Sequence, residues 1–244
     1  GNGQWKPNIP FNLPVKYFSH HYSHAAAGYY TSTFNNAVIV VLDAIGEWNT
    51  STIWVGEGEK IILKEKFNYP FSFGLFYSAF TKLLGLKPNE EEYILMGMAG
   101  HGNKEKYFKK VNQYFPSIFN QKYNFHKGID DWGEPITELS KFDIAAAVQE
   151  VYQIRLIEFM NYAKKNTKQK NLVFMGGCAL NCSANTKLWE IFDSIWIMPN
   201  PGDAGSSLGA AAALYGKHIE WDGPYLGHNI SSDFSVNYHI NNII

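Results

Sequence analysis

The chain has 244 residues, enough for one large domain or two small ones around a buried core. Its hydrophobic fraction of 45% and charged fraction of 18% are ordinary for a folded soluble protein. The formal net charge of −1 excludes the basic excess of a non-specific nucleic-acid binder. No segment approaches the roughly 20 apolar residues that a membrane span needs, and Cys178 and Cys182 are expected to be reduced thiols. We therefore expect a cytoplasmic protein outside the membrane.

The first part of the chain predicts strands around one helix. Residues 15–18 predict a short strand, and the alanine-rich residues 21–30 predict a helix. Residues 37–43 form a nearly continuous apolar run, which is typical of a strand buried on both faces. Residues 50–55 and 60–67 are separated by turn-forming residues, so they complete a three-strand meander.

Helices dominate the second part of the prediction. Residues 74–84 and 90–98 have helical apolar spacing, whereas residues 101–140 are aromatic and irregular and are interpreted as an insertion. A long amphipathic helix is predicted at 142–164, with one apolar face that holds Ile144, Val148, Val151, Ile154, Ile157 and Met160. The last predicted elements are a strand at 171–175, a helix at 181–192, a strand at 194–198 and a helix at 205–215. After Tyr225 no periodicity remains, which indicates a poorly ordered tail.

This order predicts an α/β fold with a mixed sheet and helices on both faces. Such a unit is ribonuclease-H-like, and two copies of it form the lobes of actin-like ATPases. We interpret residues 37–216 as one second actin-like lobe and residues 1–36 as the end of a first lobe. Residues 217–244 are interpreted as a tail that leads toward a further C-terminal region.

Two histidines four positions apart form a candidate metal-binding pair. If residues 20–24 are helical, His20 and His24 lie one turn apart on the same face and can share a metal ion. Imidazole suits iron, zinc or nickel, and spacing alone does not choose among them. The alternative is that both are helix-start or core histidines.

Two aspartates are predicted at the edge of the same sheet. Asp43 ends the buried strand, and α/β sheets place their ligands at the C-terminal ends of strands. Asp203 precedes the last predicted helix. The alternatives are a turn residue for Asp43 and an N-cap for Asp203. With the histidines, these carboxylates make a plausible set of two nitrogen and two oxygen ligands.

A glycine-rich turn follows the strand at 171–175. Gly176 and Gly177 would allow the backbone to approach a ligand, and Asn181 begins the next predicted helix. The turn lacks the lysine and hydroxyl residue of a P-loop, and it is not a dinucleotide fingerprint. It fits an adenosine-binding turn better than a phosphate cradle.

Six co-linear blocks resemble the O-carbamoyltransferases of nodulation-factor and antibiotic biosynthesis, the NodU/CmcH family. The resemblance covers about residues 15–227, and its blocks are 20–27, 42–48, 74–81, 92–99, 176–185 and 201–210. It implies transfer of a carbamoyl group from carbamoyl adenylate, made from carbamoyl phosphate and ATP, to a hydroxyl of a small molecule. It also implies that His20, His24, Asp43 and Asp203 hold a divalent metal, iron in the relatives, and that Gly176, Gly177 and Asn181 bind adenosine.

The resemblance does not supply a general base for the acceptor hydroxyl. His21 and Glu47 are catalytic candidates because each lies beside a candidate ligand or its turn. Where the relatives have Asp-Gly-x-Gly, this chain has Ala44 after Asp43, which would be strained if that position needed a positive φ.

Alternative functions stay open. A hydrogenase-maturation carbamoyltransferase is a further relative that the O-carbamoyl blocks disfavour, and two others remain. One is a relative of the enzymes that transfer threonylcarbamoyl groups to tRNA, which share the fold and the histidine pair. The other is a non-catalytic nucleotide-binding module, which retention of all four candidate ligands disfavours. An apolar face left by an absent lobe would also favour self-association.

We expect this chain by itself not to complete a catalytic cycle. It opens on Gly1 rather than Met, and the N-terminal phosphate-binding turn and the adenylate-forming domain of the relatives have no counterpart in it. Release of pyrophosphate by the purified chain with ATP, dependent on added carbamoyl phosphate, would contradict this expectation.

Overall fold

The computed structural model describes residues 14–120, 123–129, 136 and 140–224. The predicted tail after Tyr225 lies outside the described residues. The regular elements in the described part are α1 (His20–Thr31), β1 (Asn36–Gly46), β2 (Asn49–Glu57), β3 (Lys60–Asn68), α2 (Phe73–Leu83), α3 (Glu92–Ala99), α4 (Phe108–Tyr114), α5 (Lys141–Thr167), β4 (Asn171–Met175), α6 (Cys182–Asn185), β5 (Ser194–Trp196) and α7 (Ser206–Tyr215).

The strands form one mixed sheet with the order β3-β2-β1-β4-β5. The first three strands pair antiparallel as a meander, whereas β4 pairs parallel with β1, and β5 pairs parallel with β4. The helices α2 to α5 lie in the connection from β3 to β4. This order and these directions are those of the ribonuclease-H-like lobe, so the predicted α/β fold is confirmed.

Strand β1 is apolar along its length because both of its faces are covered. Val38, Val40 and Leu42 belong to the cluster that α2 and α5 complete. Ile39 and Val41 belong to a second cluster on the opposite face, which α1 and α7 complete. The alternation follows from the two-residue repeat of a strand, and it explains why the run in the sequence shows no polar face.

The predicted strand at residues 15–18 is wrong. These residues have no regular structure and no strand partner in the described part of the chain, and Val15 and Tyr17 are about half exposed. Their β-branched and aromatic side chains favour a strand locally, but strand propensity has effect only where a neighbouring strand and a buried face exist.

The single helix predicted at 181–192 is also wrong. The segment is the short helix α6 followed by a 3₁₀ turn at Thr186–Glu190. Ala184, Leu188 and Phe192 are the buried apolar positions, while Trp189 is 62% exposed. This narrow apolar stripe gives a longer helix little packing energy to offset the entropy of forming it.

The segment 101–140 is more ordered than predicted. Helix α4 and 3₁₀ turns at Lys104–Lys106 and Phe125–Lys127 lie within its described part. Val111, Tyr114 and Phe115 are buried in the larger core cluster. Their spacing of three and four residues is the helical signal that the aromatic composition obscured.

The long helix α5 was predicted correctly, but its buried face is wider than expected. Tyr152, Leu156 and Phe159 are buried in addition to most of the predicted positions. Ile154 and Ile157 are only half-buried. Among the described residues, no helix combines the length and apolarity needed to cross a membrane.

Helix α1 packs against α7 and against the same sheet as the rest of the described chain. The described residues 14–36 therefore contact residues 37–216 closely. Their assignment to the end of a first lobe stays a prediction.

The contact between α1 and α7 depends on Gly209. A Cβ added there would lie 2.1 Å from the carbonyl oxygen of Ser23 in α1. We expect Gly209→Ala to lower the free energy of unfolding by about 1–3 kcal/mol, because the two helices must separate. In α3, a Cβ at Gly97 meets no atom within 4 Å, so Gly97→Ala should raise the stability by up to about 1 kcal/mol. Urea unfolding measures both, and a Gly209→Ala protein as stable as wild type would contradict the described packing.

Candidate metal centre and adjoining cavity

Four side chains from three parts of the chain converge at the C-terminal edge of the sheet. Nε2 of His20 lies 3.0 Å from Oδ2 of Asp43 and 3.2 Å from Oδ1 of Asp203. Nε2 of His24 lies 3.3 Å and 3.2 Å from the same two atoms, and 3.0 Å from Nε2 of His20. One ligand atom from each residue lies within 4.8 Å of all the others. The structure therefore brings together all four residues predicted as metal ligands.

The two aspartates meet because parallel strands end at the same edge. Asp43 lies in β1, two residues after Val41, which pairs with Met175 at the end of β4. Asp203 lies in the loop after β5, and this loop is tied to β4 by the hydrogen bond from Gly176 N–H to the Pro201 carbonyl, 2.9 Å. Both carboxylates thus occupy the place where α/β sheets bind ligands.

The two histidines meet because they are one helical turn apart. Their ring centroids are 4.7 Å apart on α1, whose first residue is His20. The helix lies very near β1, since a Cβ at Gly46 would be 2.5 Å from ring carbons of both His20 and His21. The lack of a side chain at Gly46 allows the imidazoles to reach the sheet edge.

The charges in this cluster stabilise one another. Burial alone would raise the pKa of Asp43, but the hydrogen bonds with His20 and His24 lower it far below its ordinary value. The hydrogen bond with Asp43 is also the main reason that the pKa of His20 is raised, against the opposing effect of burial. His24 is fully buried, whereas the Asp203 side chain is 74% exposed. The cluster is therefore open toward solvent at Asp203.

The chemistry of these donors suits a divalent cation. Ionised carboxylates are hydrogen-bond acceptors only, and a neutral imidazole nitrogen that binds a metal is an acceptor too. Four acceptor atoms at 3.0–3.3 Å repel one another unless protons or a cation lie between them. Two imidazoles and two carboxylates are ligands that iron and zinc accept. The residues present fit a metal.

A cavity of about 640 Å³ adjoins this cluster. That volume is within the range of pockets for small molecules and cofactors. Asp43 and Asp203 lie at its wall. Further lining comes from the end of β1, from α2, from α3 and the residues just before it, from the glycine turn, and from single residues such as Tyr152 of α5 and His126 of the segment predicted as irregular.

Two of the three residues predicted to bind adenosine line the cavity: Gly177 and Asn181. Gly176 is not in the lining, and its part in nucleotide binding stays a prediction. Its φ is +91°, and a Cβ there would lie 2.1 Å from the Leu42 carbonyl oxygen. This glycine is required because the turn passes against the end of β1.

Asn181 is held by a hydrogen-bond network rather than free. Its Oδ1 accepts from Ala184 N–H at 3.0 Å, which caps α6 and identifies the oxygen of the amide. It also exchanges two 3.0 Å hydrogen bonds with the Gln149 side chain. Tyr77 donates to Gln149 Oε1 at 2.7 Å. With a further hydrogen bond to Tyr77, these contacts hold the Asn181 side chain in place at the floor of the cavity.

The two candidates for the general base lie outside the cavity lining. His21 is 2% exposed, and its Nδ1 lies 2.9 Å from Thr52 Oγ1. Burial lowers its pKa to about 4, so the ring is neutral near pH 7. Glu47 is exposed in the turn between β1 and β2, where its φ is +62°. Ala44 is not among the described residues with positive φ, so its replacement of glycine causes no backbone strain.

Sequence reasoning missed several residues of the cavity. Tyr77, Glu92 and His126 line it, and buried Gln149 supports it. Glu92 and Tyr77 lie within the blocks that carry the resemblance, but the helical pattern suggested only a structural role. A glutamine on the apolar face of α5 was a signal that could have been followed, because buried amides need partners.

The strand order and the position of the cluster define this chain as a ribonuclease-H-like, actin-like lobe with a site at the strand ends. Residues 7–212 match the family model described as Carbamoyltransferase N-terminus. The chain belongs to this family of transferases.

Relatives of known sequence extend the same finding. The chain is similar to the uncharacterized protein sll1178 of Synechocystis sp., with 32% identity over 235 residues that cover 85% of this chain and 37% of the relative. It is similar to the nodulation protein NolO of Bradyrhizobium diazoefficiens, with 27% identity over 90% of this chain and 44% of the relative. The chain thus spans less than half the length of these relatives.

A solved structure with related architecture is that of HypF from T. kodakarensis, with a TM-score of 0.43 and 14% identity. The alignment covers 81% of this chain and 36% of that chain. The fold assignment rests on the strand order and on the family match, not on this likeness.

Proposed function

We propose that this chain provides the metal-dependent transfer site of an O-carbamoyltransferase. The substrates are carbamoyl adenylate and a small molecule with a hydroxyl group. The observation that carries the proposal is the convergence of His20, His24, Asp43 and Asp203 at the wall of a ligand-sized cavity. Membership of the carbamoyltransferase family supports it.

In this proposal the four residues hold one divalent cation, iron by resemblance to the relatives. When bound, the cation would polarise a carbonyl or phosphoryl oxygen and offset the charge that develops during transfer. The two carboxylates supply most of the electrostatic attraction, and the two imidazoles fix the position of the site on α1. Because the Asp203 side chain is exposed, a ligand can reach the cluster from that side.

The glycine turn and its supports hold the nucleotide in the same proposal. Gly177 allows close approach of the backbone, and the Asn181–Gln149 pair keeps the cavity floor rigid.

Transfer forms a bond from the acceptor oxygen to the carbamoyl carbon and breaks the bond from that carbon to the phosphate oxygen, which leaves with the electron pair as AMP. The hydroxyl proton passes to a base. His21 and Glu47 stay predictions for that role, since neither lines the cavity.

Formation of carbamoyl adenylate from carbamoyl phosphate and ATP is, in our proposal, a reaction of the longer relatives and not of this chain alone. The chain spans 37–44% of two such relatives. The proposed use of ATP and carbamoyl phosphate supports a cytoplasmic location. Self-association stays a prediction. The exposed apolar side chains that could form its contact include Trp189, Leu214 and Tyr215.

Metal binding tests this proposal. Under anaerobic conditions, the purified chain should bind about one Fe²⁺ per molecule. His24→Ala and Asp203→Asn should each weaken binding by at least about tenfold, because each removes a ligand. Asp203 is exposed, so its variant should fold normally. His101→Ala, at an exposed histidine, is the matched control and should bind iron as wild type does.

The same experiment addresses the alternatives. Iron binding that is equal in wild type and in both ligand variants would contradict the proposed centre. A folded chain that binds AMP but no metal would favour a non-catalytic nucleotide-binding module. In a separate assay, a threonylcarbamoylated tRNA nucleoside as the product would favour the tRNA-modifying alternative.

A further inference from the structure

The carboxylate of Glu92, in the cavity lining, is fixed in position through only one of its two oxygens. Oε1 of Glu92, at the start of α3, accepts two hydrogen bonds, from Ser78 Oγ and from Asn89 N–H, each 2.6 Å long. Ser78 is buried, and Glu92, Ser78 and Asn89 all line the cavity. Oε2 of Glu92 has no hydrogen-bond partner among the described residues. The side chain is therefore held in one orientation with an oxygen left for a ligand.

The charge of Glu92 acts on the floor of the cavity and on the glycine turn. Burial is the main reason that the pKa values of Tyr77 and Cys178 lie above their ordinary range, with a hydrogen bond opposing it in each. The negative charge of Asp43 raises the pKa of Cys178 further, and that of Glu92 has a smaller effect in the same direction on both groups. Cys178 belongs to the turn that follows β4. Glu92 thus lies near the place where the nucleoside is proposed to bind, on a different element from the metal ligands.

The charges that line the cavity indicate what Glu92 can bind. No lysine or arginine occurs in the described lining. Asp43 and Asp203 belong to the metal cluster, and Glu90 pairs with Lys87 at 2.6 Å. Glu92 is the remaining carboxylate without a cationic partner. It would repel a phosphate and attract hydrogen-bond donors, and two neighbouring hydroxyl groups match a carboxylate well.

We propose that Glu92 is a specificity-determining residue that accepts hydrogen bonds from the ribose diol of the adenylate. This inference rests on the proposed function, since it places the nucleoside beside the glycine turn. It separates the cavity into two ends: the phosphate lies at the metal cluster, and the sugar hydroxyls lie at α3. The chain would then select ribonucleotides over nucleotides without the diol.

Binding of AMP and of 2′,3′-dideoxy-AMP to the Fe²⁺-loaded chain, measured by anaerobic calorimetry, tests the proposal. Wild type should bind AMP about 10- to 100-fold more tightly than the dideoxy nucleotide, since hydrogen bonds to a charged group are strong. This comparison needs no substitution and therefore does not depend on the folding of a variant.

Glu92→Gln identifies the residue responsible. Glutamine keeps an oxygen that can accept from Ser78 and Asn89, but it replaces the free oxygen with an NH₂ group. We expect AMP affinity to fall to that of the dideoxy nucleotide, whose own affinity should change less than about twofold. Glu90→Gln is the matched control, because Glu90 also lines the cavity but pairs with Lys87. It should keep the wild-type preference for AMP.

The outcomes separate this inference from the proposed function. Equal affinity of wild type for the two nucleotides would overturn the inference and leave the nucleotide site intact. A preference for AMP that survives in Glu92→Gln would overturn it too, because another group would then recognise the diol. If wild type binds neither nucleotide, the proposed adenosine turn fails, and the inference fails with it.

Discussion

The parallel pairing of β1 with β4 positions everything at the candidate site. Val41 pairs with Met175, so Asp43 and the glycine turn leave the sheet side by side. The close contact of Gly176 with the Leu42 carbonyl then fixes the height of the turn above the strand ends. A shift of the register by one residue would turn the Asp43 side chain to the opposite face of the sheet. The covered faces of β1 prevent that shift, because it would also exchange the two apolar clusters.

Electrostatics add a second constraint on the same edge. Asp43 and His24 are almost fully buried, and burial of charged groups is costly unless partners compensate it. In the described structure the compensation comes from within the cluster, where the hydrogen bonds of Asp43 with both histidines lower its pKa. A divalent cation would provide the same compensation and would relieve the contact of two imidazole nitrogens at 3.0 Å. The proposed centre is therefore an arrangement that removes the repulsion among the four ligand atoms.

Elements whose formation depends on a local sequence pattern could be predicted from the sequence. The apolar run of β1, the meander and the spacing of His20 and His24 predicted the mixed sheet and the histidine pair. The strand at 15–18 could not be judged locally, because it depended on a partner strand that the described part does not contain. The segment 181–192 has good helical composition, yet its narrow buried stripe yields only short turns.

The cavity was harder to predict than the metal cluster for a related reason. Metal ligands are a small set of residue types, so their occurrence at strand ends is informative. Glu92, Gln149 and Tyr77 are common residues whose roles follow from hydrogen bonds between elements far apart in the sequence. Such partnerships form only after α2, α3 and α5 have packed, and one sequence carries no signal for them beyond a polar residue on an apolar face.

The central claim is that the strand-end aspartates and the α1 histidines form one metal centre. The most direct measurement is a crystal structure of the Fe²⁺-loaded chain, with anomalous scattering recorded at the iron edge. Our account predicts one strong peak within bonding distance of His20, His24, Asp43 and Asp203. A folded, iron-loaded crystal with the peak elsewhere, or with neither aspartate bound to the metal, would contradict it.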